Sequence, residues 1–287
     1  MKELTIISGK GGTGKTSILG SFATLSGNSV ICDCDVDAAN LHLLLHPDIK
    51  EKKPFYGGKR AEISPELCSQ CGTCEELCRF AAIKDSVVNK YACEGCGLCY
   101  QVCPSGAVQL IDHLSGYCYL SETKWGPMVH AKLGIAEGNS GLLVNLVRKK
   151  AREIAKERNI PLIISDGPPG IGCPVISSLA GTDMALIVTE PTHSGIHDME
   201  RVIRVASGFG CLTAVCINKY DLDEENCRRI EDAANKLGVP VIGRIPYDPV
   251  MHQSVINGVP VTLLEPGEAQ RSIRQVWDQV TVLLGVC

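Results

Sequence analysis

The sequence predicts an α/β protein: a mainly parallel sheet flanked by helices, with a small cysteine-rich α+β module inserted. Three observations predict it. Strand-length apolar runs alternate with helix-length stretches on both sides of a central interruption. A glycine-rich turn, Gly9 to Gly14, joins the first run to the first helix. Half of the 16 cysteines fall between Cys68 and Cys103.

Residues 3–8 read as a buried strand, Lys15 to about Ser26 as a helix, and 29–34 as a second strand running into Asp33, Asp35 and Asp37. Residues 51–60 are polar and rich in Lys, Gly and Pro, and read as a linker. The cysteine block follows, and the pattern breaks again at Ser115-Gly116. Beyond it, 140–158 reads as an amphipathic helix, and strands are expected at 161–165, 185–189, 212–217 and 239–243. A last helix covers roughly 267–284, with Ile273, Val276, Trp277, Val280 and Leu284 on one face. The expected domains are therefore 1–55 with 115–287, and an insert over 56–114.

Composition narrows the function classes. With 287 residues and a net charge of −4, the chain shows no basic footprint for nucleic acid. Aromatic residues at 5% argue against base stacking. No apolar stretch reaches the ~18 residues a membrane span needs, and only Arg271 and Arg274 are basic in the last helix, which suits a core helix better than a membrane-binding tail. Met1 is followed at once by the first strand, so no export signal is read and a cytoplasmic location is expected. In a reducing compartment, clustered cysteines point to metal ligation before disulfides.

Gly9-Lys10-Gly11-Gly12-Thr13-Gly14-Lys15-Thr16 fits G-x-x-x-x-G-K-T, between a strand and a helix as that motif requires. Glycines let backbone N–H groups turn towards phosphate oxygens, and the helix N-terminus adds partial positive charge. Gly11, Gly12, Thr13, Gly14, Lys15, Thr16 and Ser17 are thus candidate ATP ligands. Lys15 is placed on the β- and γ-phosphates and Thr16 on Mg²⁺.

The cysteine block is an internal repeat. Cys68-x2-Cys71-x2-Cys74-x3-Cys78 recurs 25 residues on as Cys93-x2-Cys96-x2-Cys99-x3-Cys103. This is the bacterial ferredoxin run, in which the fourth cysteine ligates the other cluster. Three closely spaced thiolates wrap one face of a cube, and a distant segment must supply the fourth corner. Cys68, Cys71, Cys74 and Cys103 are assigned to one [4Fe–4S] cluster, and Cys93, Cys96, Cys99 and Cys78 to the other. The doubled spacing is a poor match to paired zinc sites. Arg79, where proline is usual, is the one departure.

The second loop lysine, Lys10, makes the motif K-G-G-x-G-K-[ST], and with it the chain resembles the deviant Walker A ATPases: MinD, ParA, the Mrp-type cluster carriers and the nitrogenase iron protein. The resemblance covers nearly the whole chain, with a ferredoxin module inside. It implies that Lys10 reaches across a homodimer closed by ATP, and that Asp35 orients the attacking water, with Asp33 and Asp37 as alternatives. It further implies that Asp166, in Ile163-Ile164-Ser165-Asp166-Gly167-Pro168-Pro169-Gly170, holds Mg²⁺, and that the Gly170 N–H senses the γ-phosphate. Asn218 and Pro246 resemble the residues that contact the base. Cys173, seven residues after Asp166, resembles a ligand position of the nitrogenase iron protein, and a bridging cluster with Cys118 is one reading. A buried structural cysteine is the other.

Three functions follow from this resemblance. In the first, ATP hydrolysis drives electron transfer through two [4Fe–4S] clusters to a redox partner. In the second, the chain is an iron–sulfur carrier that delivers clusters to an acceptor; the absence of a C-x-x-C beyond Cys103 weighs against it. The third is a positioning ATPase with structural or sensory clusters. His193 and His197 are taken as ordinary.

Overall fold

In the computed structural model, which describes residues 1–134 and 137–286, the elements run in this chain order. They are β1 (Lys2–Ser8), α1 (Lys15–Ser26), β2 (Val30–Asp33), α2 (Leu41–Leu45), β3 (Asp48–Ile63), α3 (Thr73–Glu76), β4 (Ile83–Lys84), β5 (Val87–Val88), α4 (Leu98–Val102), β6 (Val108–Thr123), β7 (Gly126–Leu133), α5 (Ser140–Glu157), β8 (Leu162–Pro169), α6 (Cys173–Leu179), β9 (Met184–Thr189), α7 (His193–Ser207), β10 (Leu212–Asn218), α8 (Glu224–Lys236), β11 (Val241–Ile245), α9 (Pro249–Asn257) and α10 (Glu268–Leu284). They divide into two units. One comprises Met1–Lys53, Cys118–Lys132 and Ser140–Cys287; the other comprises Pro54–Tyr117 and Leu133–Asn139.

The main sheet has the order β11-β10-β9-β1-β8-β2-β7-β6-β3. Every pairing from β11 to β7 is parallel. Buried on both faces, these strands are apolar throughout rather than alternating. In β9, Met184, Leu186 and Val188 point into one core while Ala185 and Ile187 point into the other. The first core is closed by α1 and α10, where Phe22 meets Trp277 with ring centroids 4.9 Å apart. The second is closed by α6, α7 and α8 through Val175, Val202 and Ile230. The apolar face of α10 is buried as the sequence predicts, with Ile273 and Val280 fully inaccessible.

A charged pin joins sheet to helices. Glu3, buried on β1, accepts hydrogen bonds from Arg148 (2.7 Å) and Arg152 (2.7 and 2.9 Å) of α5. Arg148 also donates to the Ser177 and Ala180 carbonyls at the end of α6. Each of the three charged groups makes at least one hydrogen bond, which makes such burial tolerable, while Arg148 Nη2 lies 2.6 Å from Glu3 Oε1 as an ion pair with no hydrogen-bond partner among the described residues.

Two sequence expectations fail here. Residues 51–60 are not a linker but the middle of β3, the edge strand of the sheet. Its lysines and Pro54 are what an exposed edge carries to discourage pairing with other chains. The break expected at Ser115-Gly116 lies instead inside β6, and β7 follows it in the strand order.

His130 on β7 makes the first unit acid-sensitive. Its ring stacks on Tyr119 at 4.9 Å, its Nε2 lies 3.0 Å from Ser121 Oγ, and His42 of α2 lies beyond at 6.3 Å. Burial first, and the charge of His42 second, push His130 down to about 4. Since the unfolded chain takes up this proton near 6.5, stability is full above that pH and falls as the pH drops towards 4, by about 3 kcal/mol at most. Urea midpoints measured from pH 7 to pH 4 should fall more steeply for the wild type than for His130→Gln. Parallel curves would rule the effect out.

The second unit has another architecture. Its repeat is visible in the backbone: left-handed φ recurs at Gln70 and Gly95, at Gly72 and Gly97, and at Ala81 and Gly106, each pair 25 residues apart. Gly72 and Gly97 begin α3 and α4 in that conformation, where a side chain would be strained. The halves exchange hydrogen bonds. Ser64 N–H donates to the Ala107 carbonyl (2.9 Å), and its counterpart Asn89 N–H donates to the Ala82 carbonyl (2.7 Å). Among the described residues of this unit the buried apolar side chains are few. They are Ala61, Ala82, Ile83, Ala107 and Val108, with Phe55 and Leu133.

Candidate functional site

Because β1, β2 and β8 are parallel neighbours, their carboxyl ends meet on one edge of the sheet, the place where open α/β sheets bind ligands. Ile6 and Asp33 both sit opposite Asp166 in register. The glycine loop, the acids after β2 and the Pro-Pro-Gly segment of β8 therefore surround one open cleft of about 1600 Å³. Gly11, Gly12, Gly14, Lys15, Thr16, Ser17, Asp35 and Asp37 line it, with Pro168 and Pro169. Thr13 is buried behind the loop.

Gly14 opens α1 with φ +92°, and a Cβ there would lie 2.4 Å from Asn218 Nδ2. No side chain caps α1 and no acid occupies its first turn, so its leading N–H groups remain as an anion site. Lys15 is 6% exposed and donates to Ser8 Oγ at 2.9 Å. Among the described residues, no carboxylate is within ion-pair distance of it. A buried ammonium so placed calls for an anion.

Thr16 Oγ1 donates to Asp166 Oδ2 at 2.6 Å, while Asp166 Oδ1 is buried with no partner among the described residues. Burial pushes Asp166 up to about 6, against the pull of Lys15 and Thr16. An unpartnered carboxylate oxygen beside a threonine hydroxyl fits a hard divalent cation. Asp35 is likewise raised by burial, with Lys15 opposing. Of the three acids after β2, Asp33 lies outside the cleft: it is fully buried and accepts from the Leu41 and Asp35 backbone N–H groups. That is a structural task, and it leaves Asp35 and Asp37 facing the cleft.

Several expected contacts are engaged elsewhere. The Gly170 N–H, assigned to a phosphate, donates to the Ser8 carbonyl at 2.9 Å. Asn218 does not line the cleft; its amide donates to the Thr13 carbonyl (2.8 Å) and accepts from Lys219 N–H (3.0 Å), bracing the loop from behind. Pro246 also lies outside the lining, just beyond β11. Lys10 is held within its own chain. Its Nζ is 2.5 Å from Glu190 Oε1 and 3.2 Å from both Thr192 Oγ1 and Ser194 Oγ. Burial raises Glu190, but the hydrogen bonds from Lys10 and Lys219 outweigh it and hold the carboxyl below the ordinary range. Sequence reasoning missed Ser8, Glu190 and Lys219. An acid immediately after a parallel strand, on the same sheet edge as the loop, was the available signal for Glu190.

In the second unit, Cys68, Cys71, Cys74 and Cys103 line one cavity of about 310 Å³. Cys78, Cys93, Cys96 and Cys99 line another of about 410 Å³, which Cys74 also borders. Every described cysteine is a free thiol. Hydroxyls sit against the first set: Thr73 Oγ1 lies 3.4 Å from Cys71 Sγ, Ser86 Oγ 3.5 Å from Cys68 Sγ and Ser105 Oγ 3.7 Å from Cys103 Sγ. The Thr73 hydroxyl holds the Cys71 thiol below its ordinary range. Among the described residues, no three His, Cys, Asp or Glu side chains converge on a point as for a single metal ion. The remaining pair does not converge either. Cys118 is buried near Lys150 of α5, whereas Cys173 is exposed and faces Gly141 at the start of that helix. Nine residues of helix separate those neighbours, about 13 Å. The expectation that Cys173 is buried is thus corrected.

A nucleotide cradle of this kind, on this sheet, defines a P-loop nucleotide-binding fold. The chain belongs to the CobQ/CobB/MinD/ParA nucleotide-binding family, whose model matches residues 4–261. It is 38% identical over 229 residues to an uncharacterised protein of Methanocaldococcus jannaschii, covering 78% of this chain and 80% of that one. A more distant relative from the same organism, an iron–sulfur cluster carrier protein, is 22% identical, with 97% and 84% covered. Among solved structures, the septum site-determining protein MinD of Pyrococcus horikoshii, complexed with Mg-ADP, superposes with a TM-score of 0.63 at 20% identity, covering 99% and 97%. No described helix is long and apolar enough to cross a membrane.

Proposed function

We propose that this chain is an ATP-hydrolysing iron–sulfur protein, in which a nucleotide-driven change between free and paired protomers governs electron transfer through two [4Fe–4S] clusters. The observation that carries this is the presence, on one chain, of a phosphate cradle and two four-cysteine cavities. In the cleft, Lys15 and the α1 N-terminus bind the ATP phosphates, and Asp35 orients the attacking water. Thr16 and Asp166 would hold Mg²⁺, which neutralises phosphate charge when bound. Lys10 reaches the nucleotide of the second protomer.

The thiol sets fit iron–sulfur clusters by softness, by number and by the repeat that exchanges their fourth members. A cube spreads its ligands more widely than a single ion does, consistent with cavities rather than a point of convergence. When bound, the clusters would supply one-electron chemistry. The chain's own contribution is the ligand set and the hydroxyls beside it, which set the cluster potential. The partner is a redox protein. Exposed Cys173 and the distant carrier relative favour cluster delivery as the second reading.

The test is an electron paramagnetic resonance titration of anaerobically prepared protein, with and without MgATP. A nucleotide-dependent shift of about 60 mV, tenfold in equilibrium for one electron, is expected. Transfer of clusters to an apo-acceptor on ATP addition, with no shift, would replace electron transfer by delivery.

A further inference from the structure

We propose that Glu190 is a positioning residue that parks Lys10 in the free protomer and so sets how readily ATP closes the dimer. This rests on the reading that Lys10 acts across the dimer.

A lysine ammonium has three donors. Those of Lys10 are taken by Glu190 Oε1, Thr192 Oγ1 and Ser194 Oγ, which lie between the end of β9 and the first turn of α7. The parking place is itself built. Thr192 is the N-cap of α7 and accepts from Gly195 N–H at 3.0 Å, so the helix start fixes its hydroxyl. The other Glu190 oxygen, Oε2, is 3.1 Å from Lys219 Nζ, which also reaches the Gly12 carbonyl at 3.4 Å. Lys219 therefore keeps Glu190 in place and paired when Lys10 departs. The Lys10 backbone stays put as well, since its carbonyl accepts from Ser8 Oγ at 2.6 Å. Only the Lys10 side chain has to swing, and reaching a second protomer's nucleotide means breaking all three of its contacts.

The pair is partly solvated, with Lys10 at 29% and Glu190 at 16% side-chain exposure. A pair of this kind is easily broken, so it biases an equilibrium rather than blocking it. Releasing it should favour pairing roughly threefold per protomer, about tenfold for the dimer.

Sedimentation velocity of the full chain with a slowly hydrolysed ATP analogue tests this. Glu190→Gln should raise the dimer association constant about tenfold over wild type, and should have no effect in a Lys10→Ala background. Unchanged association in Glu190→Gln overturns the proposal. So does an equal gain with Lys10 absent, because Glu190 would then act by repelling phosphate rather than through Lys10. If Lys10→Ala alone dimerises like wild type, the cross-subunit role fails instead, a separate and distinguishable result.

Discussion

Lys15→Ala is expected to abolish ATP binding while leaving the nucleotide-free protein as stable as before. Lys15 is buried against Ser8, with no carboxylate partner among the described residues. In the free protein its charge is a cost, since desolvating an ammonium is repaid only by an opposite charge or good hydrogen bonds. Phosphate supplies that repayment, at about 1.5–3 kcal/mol for each hydrogen bond to a charged group. Two such bonds correspond to a loss of about 100-fold or more in affinity. Removing the ammonium also removes what holds down Asp35 and Asp166, so both carboxyls rise further and neutralise rather than stay buried as bare charges. The readout is a pair of melting curves. Wild type should gain stability from MgATP, about 2.7 kcal/mol at a hundredfold excess over Kd. The variant should start at the same or a higher melting temperature and gain nothing. A variant that unfolds early without nucleotide would mean that Lys15 is structural, and a variant still stabilised by MgATP would remove it from the site.

The parts of this molecule that follow a local rule were legible in the sequence. The glycine loop lies between a strand and a helix whose bounds the apolar pattern marks, and Gly11, Gly12, Gly14, Lys15, Thr16 and Ser17, which line the cleft, belong to it or to the start of that helix. The apolar face of α10 was readable because period 3.6 survives on a helix packed on one side. What failed depended on non-local partners. Nothing between Glu51 and Arg60 looks like a strand, because an edge strand is chosen against stickiness rather than for propensity. Asn218 is expected to contact the base from its place after β10; that its amide also donates to the Thr13 carbonyl is something only the approach of two distant strand ends reveals. Glu190 went unnoticed because its importance lies in two lysines, one 180 and the other 29 residues away along the chain.

On the proposed function, in which the two cysteine runs exchange their fourth ligands, the largest prediction concerns the second unit. Cys78→Ala lies in the first cysteine run, yet it should remove the cluster belonging to the second, and its electron paramagnetic resonance spectrum should match that of Cys96→Ala. Cys103→Ala should in turn match Cys71→Ala. Each variant should retain about half the iron of wild type, since four thiolates hold each cluster. The consequences extend to folding. A unit of roughly seventy residues seldom carries enough core to fold unaided and needs a staple. This one buries seven apolar side chains among its described residues, three of them alanines, has no disulfide among its described cysteines and leaves Leu77, Phe80 and Leu98 exposed around the thiol-walled cavity. The ligands are therefore expected to act as that staple. Limited proteolysis of each variant should cut within 54–117, while the MgATP-dependent melting shift of the other unit persists. Spectra that pair Cys78 with Cys71 would mean that each run holds its own cluster. Wild-type protein purified anaerobically without iron, and resistant to proteolysis over 54–117, would refute both the clusters and their structural role.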